Sequence, residues 1–289
     1  IGYLESFSRS LGFVSGLPGA KAGELLIFED GQEGIVYGLK ENIAEVLMIN
    51  TEGLRVGEKV TRTGEDFKIP VSTKLLGRII NPLCQSLDGK GMIKEEEKRN
   101  IWAKAPSFIE REKITEPLET GVMMVDLLVP IGYGQRELVI GDAKTGKTSF
   151  LLQAIVSQAK KKNICVYVSI GKKDVAIKMV ENYLASQNAL SNTIIVHTTP
   201  DDPLTLLYLA PFSGMTIAEY FRDKGNQVLI VFDDLTTHAK VWREISLLLK
   251  RTPGRDCYPG DIFFVHASLL ERAGNLKGKE KNVSITALP

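Results

Sequence analysis

Gly141-Asp142-Ala143-Lys144-Thr145-Gly146-Lys147-Thr148 is the stretch on which the reading of this 289-residue chain turns. It fits Gly-x-x-x-x-Gly-Lys-[Ser/Thr] at every fixed position, the pattern of a loop that cradles the phosphates of a nucleoside triphosphate. A glycine-rich turn aims successive backbone N–H groups at phosphate oxygens, and the helix that follows presents the positive end of its dipole. Lys147 is placed to neutralise the outer phosphates and Thr148 to hold Mg²⁺. At average residue frequencies the four fixed positions recur by chance in a chain this long on the order of one per cent of the time. The flanks agree with the motif. Glu137 to Ile140 is a short β-prone run before the loop, and Leu152, Ile155, Val156 and Ala159 recur after it at helical spacing.

Such a site also needs a carboxylate for the metal, carried at the end of a buried parallel strand. Val228-Leu-Ile-Val-Phe232 is five apolar residues long, as suits a strand covered on both faces, and it stops abruptly at Asp233. Asp233 is therefore the expected Mg²⁺ residue, directly or through water. Asp234 either shares that work or caps the helix that starts at Leu235, and capping ranks first.

Hydrolysis needs a group that activates the attacking water, and in ATPases with this core the second strand often delivers it. Here that strand, Cys165 to Ile170, runs into Gly171, Lys172, Lys173 and Asp174. An ammonium has three donors and no acceptor, so Lys172 can contact phosphate but cannot act as a base. Asp174 reads equally as a charge at a helix start. No catalytic residue is assigned, and the site reads as one that holds nucleotide rather than turning it over. Neither His-Glu-x-x-His nor Gly-x-Ser-x-Gly occurs. His197 and His266 follow apolar, strand-like segments and His238 lies on a helix face, so all three read as structural.

The net charge is +1 with both signs mixed along the chain, which gives no electrostatic reason to expect a nucleic-acid partner. Cys84, Cys165 and Cys257 are widely spaced and odd in number, which fits a reduced compartment better than a disulfide framework. No apolar run approaches the roughly 18 residues of a membrane span, and the amino end lacks the regions of a signal peptide. Any membrane connection is expected to run through partners. The chain begins at Ile1 and stops just after Asn282 to Leu288, which reads as a new strand, so the expectation is a fragment cut at both ends.

Residues 1 to about 70 consist of short β-prone runs between glycine turns: Leu11 to Ser15, Glu24 to Phe28, Ile35 to Leu39, Glu45 to Ile49 and Lys59 to Arg62. That spacing predicts a small β-barrel in which Phe13, Phe28 and Tyr37 pack rather than stack on bases. Ile79 to Ile114 reads as a connecting stretch, with Lys94-Glu-Glu-Glu-Lys-Arg99 as solvated surface. Beyond the loop, strands at Ile164 to Ile170, Thr193 to Val196, Val228 to Phe232 and Ile262 to Val265 alternate with helical stretches, among them Pro203 to Phe221. The fold class is α/β: a P-loop NTPase (RecA-like) parallel sheet with flanking helices over residues 71–289, preceded by the barrel over residues 1–70.

Several segments in order make the chain recognisable. Glu116-Pro-Leu-Glu-Thr-Gly121, Pro130-Ile-Gly-Tyr-Gly-Gln-Arg-Glu-Leu138, Tyr208-Leu-Ala-Pro211, Glu219-Tyr-Phe-Arg-Asp223, Phe232-Asp-Asp-Leu235, Pro253-Gly-Arg-Asp-Cys-Tyr-Pro-Gly-Asp261 and Leu269-Leu-Glu-Arg-Ala273 together resemble the alpha subunits of rotary, proton-translocating ATP synthases. The loop resembles alpha too, since the catalytic beta subunits carry a glycine-richer one. The resemblance runs nearly end to end and implies a crown barrel, most of a nucleotide-binding domain, and no C-terminal helical bundle. It implies that Gly141, Asp142, Ala143, Lys144, Thr145, Gly146, Lys147, Thr148, Lys172 and Asp233 bind ATP or ADP, with Thr148 and Asp233 on Mg²⁺, in a non-catalytic site. It also implies a beta subunit alternating with this chain in a hetero-hexameric ring, a central stalk gamma subunit, a peripheral stalk, and a place on the cytoplasmic face of a membrane. Adenine contacts and an arginine finger would lie beyond Pro289. Three positions depart from the alpha pattern: the family has arginine and glutamine at Ala143 and Lys144, and glutamine at Lys172. The first two shift a positive charge by one position, which preserves attraction for phosphate; all three bear on nucleotide affinity and exchange rate rather than on the fold. A transcription-terminating helicase shares the barrel-then-ATPase order but needs a basic groove, and a homo-hexameric secretion ATPase needs a carboxylate at Lys172.

Overall fold

The structure is a computed structural model and describes residues 1–142, 144–278 and 282–289. Six antiparallel strands close the amino-terminal barrel: β1 (Gly2–Ser8), β2 (Leu11–Ser15), β3 (Glu24–Phe28), β4 (Glu33–Lys40), β5 (Ile43–Met48) and β6 (Lys59–Asp66), in the order β1-β2-β5-β4-β3-β6. β1 is absent from the sequence-based expectation, because Glu5, Ser6 and Ser8 interrupt any apolar alternation. Its pairing is tertiary: Leu4 opposes Val14 on β2, and Gly2 opposes Val60 on β6 to close the barrel. Leu4, Val14, Leu26, Phe28, Val46 and Val60 fill the interior. Phe28 is core, and Tyr37 packs edge-on against Trp242, so these aromatics serve packing as expected.

The chain continues through β7 (Lys68–Val71), β8 (Ile79–Ile80), β9 (Glu97–Asn100), β10 (Pro117–Leu118), α1 (Met123–Leu128), β11 (Ile131–Gly132), α2 (Lys147–Lys160), β12 (Ile164–Ser169), α3 (Asp174–Ser186), β13 (Thr193–His197), α4 (Leu204–Asp223), β14 (Val228–Asp233), α5 (Leu235–Leu248), α6 (Ile262–Glu271), β15 (Gly274–Leu276) and β16 (Val283–Leu288). The main sheet has the order β15-β16-β14-β12-β13-β8, parallel except for β15, which lies antiparallel at one edge. Every residue of β12, β13 and β14 is buried, which is why these strands read as continuous apolar runs.

Alternation along the strands assigns the two faces. Val166, Val168, Ile230 and Phe232 join the core beneath α4. Cys165, Tyr167, Leu229 and Val231 join the other core, beneath α2 and α3. Because side chains alternate with period two, Asp233 follows Leu229 and Val231 toward α2, on the side of the phosphate-binding loop. α4 is buried almost all round, as expected of a helix with apolar residues on every side. Gly214 lets it lie close to β12, since a Cβ there would sit 2.3 Å from Val168 Cγ2.

Three expectations are corrected. Ile262 to Val265 is the first turn of α6, not a strand. Four apolar residues cannot distinguish a buried strand from a helix, and the place beside β14 is taken by β16, which pairs Val228 with Ile285 and Val231 with Leu288. The stretch from Ile79 to Ile114 is more than a connection: β8 is an edge of the main sheet, and Glu97 to Arg99 pair with Val71 to Ile69 in the β7–β9 ladder. Lys94 to Lys98 are exposed, as expected of solvated surface, and Glu96 among them accepts from Ser72 Oγ at 3.1 Å, Tyr220 OH at 2.6 Å and Lys224 Nζ at 2.7 Å. Glu137 to Ile140 forms no strand of its own; Glu137 N and Val139 N donate to the carbonyl oxygens of Ala287 and Pro289, so the segment runs along β16 with one isolated bridge, Arg136 to Ala287.

Candidate functional site

The loop between the extended segment at 137–140 and α2 is built as its sequence requires. Gly146 has φ 94°, a left-handed conformation that glycine adopts without steric cost, and it occupies the N-cap of α2. No side chain caps that helix, so its first-turn N–H groups stay available to an anion. A Cβ on Gly141 would lie 2.7 Å from Thr145 Oγ1, which donates across the loop to Asp142 O at 2.8 Å. Lys147 Nζ donates to the carbonyl oxygens of Gly141 and Asp142, so its charge is held at the start of the loop. Lys144 is exposed at φ 65°; Ala143 lies outside the described residues.

Thr148 faces the end of β14. Its hydroxyl donates to Asp233 Oδ2 at 3.0 Å, which brings together the two residues expected to hold a metal although they are 85 positions apart. Hydroxyl and carboxylate oxygens are the hard ligands Mg²⁺ takes, and that ion keeps several waters and uses substrate phosphates for the rest. The pair fits Mg²⁺ in this respect. Among the described residues no group of three or more His, Cys, Asp or Glu is placed to hold a metal. Asp234 caps α5, accepting from Thr237 N at 2.6 Å.

Two further side chains converge on the same carboxylate oxygen. Tyr167 OH donates to Asp233 Oδ2 at 2.7 Å, and Lys172 Nζ makes an ion pair with it. Tyr167 was not singled out from sequence. The available signal is a phenol in the middle of a strand buried at every residue, where its hydroxyl must find a partner. Burial, reinforced by the Asp233 charge, pushes that phenol far above its ordinary value, so it stays a donor at neutral pH. Lys172 is positioned by backbone: Lys172 N donates to Thr198 O at 3.0 Å and Gly171 N to Thr198 Oγ1 at 3.1 Å, which ties the segment after β12 to the end of β13.

Asp174 opens α3 and approaches His197 Nε2 at 3.1 Å, so the nearest acid is engaged away from Asp233. The histidines have structural partners. His238 Nε2 is 3.1 Å from Tyr208 O, which can only accept, so Nε2 carries the proton and Nδ1 accepts from His266 Nε2 at 2.9 Å. A cavity of about 350 Å³ lined by Tyr37, Trp102 and Tyr208 includes none of the loop residues.

Comparison with known proteins gives one consistent answer. A family model described as the ATP synthase alpha/beta family, nucleotide-binding domain, matches residues 121–289. The ATP synthase subunit alpha of Dictyoglomus thermophilum is 46% identical over 290 residues, covering 100% of this chain and 57% of that protein. That of Ligilactobacillus salivarius is 46% identical over 277 residues, covering 96% of this chain and 55% of that protein. The chain thus spans somewhat more than half the length of these relatives.

Proposed function

Because the chain belongs to the ATP synthase alpha/beta family, and its relatives named above are alpha subunits, we propose that it holds ATP or ADP with Mg²⁺ at Gly141–Thr148 without hydrolysing it. One observation carries the non-catalytic part. The position from which a carboxylate could activate water is occupied by Lys172, whose ammonium is spent on Asp233 and cannot accept a proton. In this reading the N–H groups at the start of α2 and the Lys147 ammonium bind the phosphates, and Thr148 and Asp233 are where the metal would be held. Bound Mg²⁺ would bridge and neutralise phosphate oxygens. Residues 1–70 act as the barrel unit and 71–289 as the nucleotide-binding unit. The partner is a catalytic beta-type subunit alternating with this chain in a ring around a central gamma stalk, braced by a peripheral stalk. In this reading the chain is attached through its partners at the cytoplasmic face of a membrane; among the described residues no helix is long and apolar enough to cross one.

The test follows ADP binding and phosphate release with the full chain, alone and then mixed with the beta-type partner. Binding without turnover alone, and turnover on mixing, is the expected result. Lys147→Ala should weaken ADP binding at least about tenfold, the worth of a charge-assisted contact. Robust turnover by the chain alone would overturn the reading.

A further inference from the structure

Asp233 Oδ2 is crowded. It accepts from Thr148 Oγ1 at 3.0 Å and Tyr167 OH at 2.7 Å, and it pairs with the Lys172 ammonium. A carboxylate has about four lone-pair sites over its two oxygens, so three donors fill Oδ2 and leave Oδ1 as the open acceptor. Thr148 Oγ1 thus donates to an oxygen that already faces a fixed positive charge, while its own lone pairs stay open. Asp233 has a side chain 9% exposed and Lys172 one 25% exposed, so the pair is shielded from bulk water on the carboxylate's side. The reach of Lys172 is set by the sheet: Ser169 is in register with Asp233, and Thr198 anchors the backbone of Gly171 and Lys172. A divalent ion drawn to Thr148 and Asp233 competes with the ammonium for the carboxylate and faces like-charge repulsion beside it.

We propose that Lys172 is a built-in counter-ion for Asp233 that stands in for the divalent metal, so that this site binds a nucleoside di- or triphosphate with little dependence on Mg²⁺. The inference rests on the nucleotide-binding reading of Gly141–Thr148. Phosphates lying on the N-terminus of α2 meet Lys147 from the loop and the Lys172–Asp233 pair from the sheet. The ammonium neutralises the Asp233 carboxylate that the phosphates would otherwise face, a task a metal ordinarily performs. Mg²⁺ shares this carboxylate with the ammonium, and its net contribution to affinity is correspondingly small.

The experiment is calorimetric titration of the full chain with ADP, in excess Mg²⁺ and in EDTA, for the wild type, Lys172→Gln, Lys172→Arg and Lys147→Ala. The wild-type Kd should change by less than about threefold when the metal is removed, while Lys172→Gln should lose at least about tenfold in EDTA, the value of one charge-assisted contact. Lys172→Arg keeps the charge and should follow the wild type, which separates loss of charge from damage to the fold. Equal metal dependence in the wild type and Lys172→Gln overturns the counter-ion role and leaves the nucleotide site standing. Binding that survives Lys147→Ala undiminished overturns the site itself, and the Lys172 proposal with it.

Discussion

Replacing Tyr167 by phenylalanine isolates a single contact in the candidate site. The side chain is fully buried, and its hydroxyl lies 2.7 Å from Asp233 Oδ2. Phenylalanine keeps the ring in place among the same neighbours, so no cavity opens and the packing term is unchanged. What disappears is one hydrogen bond to a charged acceptor, worth about 1.5–3 kcal/mol. Asp233 retains Thr148 and Lys172, which leaves no buried charge unpaired and places the expected loss near the low end, about 1.5 kcal/mol. Urea unfolding should show a lower midpoint with an unchanged slope, and Tm should fall by roughly 3–6 °C. Tyr183, a more exposed residue on α3, supplies the control: Tyr183→Phe should stay within about 0.5 kcal/mol of the wild type. A Tyr167→Phe protein as stable as that control would refute the assignment of the hydroxyl as a donor to Asp233, and with it the account of what orients that carboxylate.

Gly214→Ala tests the close approach of α4 to β12; with a Cβ 2.3 Å from Val168 Cγ2, overpacking should cost about 1–3 kcal/mol in urea unfolding, and a neutral or stabilised variant would contradict the packing described. The His238–His266 pair makes stability depend on pH in one direction. Burial first, and then the neighbouring His266, hold the His238 imidazole down to about 3, below the unfolded value of about 6.5, so the unfolded chain takes up the proton first. This contribution is intact above about pH 6.5 and is lost as pH falls toward the folded value, steepening the fall by up to about 1.4 kcal/mol per pH unit. His238→Gln, which keeps a donor for Tyr208 O, should flatten the midpoint-versus-pH curve between pH 7 and 5; parallel curves for the two proteins would exclude a neutral, buried His238.

Local chemistry was enough to place the loop Gly141–Thr148, the buried strand ending in Asp233, the cap at Asp234 and the bulk of the barrel strands, because each is written in residues adjacent along the chain. A glycine at a left-handed turn, a continuous apolar run and a carboxylate at its end act over a few positions, and their physics travels with them. Long-range contact settled everything else. β1 has no alternation of its own and exists because β2 and β6 flank it. Ile262 to Val265 carries a strand-like composition but becomes helix, since β16 has taken the place beside β14. Tyr167 looks like one more apolar strand residue until the alternation of β12 turns it toward α2 and the end of β14. Lys172 reads in sequence as a phosphate contact with no base beside it; only the register of Ser169 with Asp233 brings its ammonium onto the carboxylate expected to hold metal. Charges this far apart in the chain have no preferred geometry until a sheet sets the distance between them, and that distance decides whether Lys172 faces phosphate alone or answers the charge of Asp233.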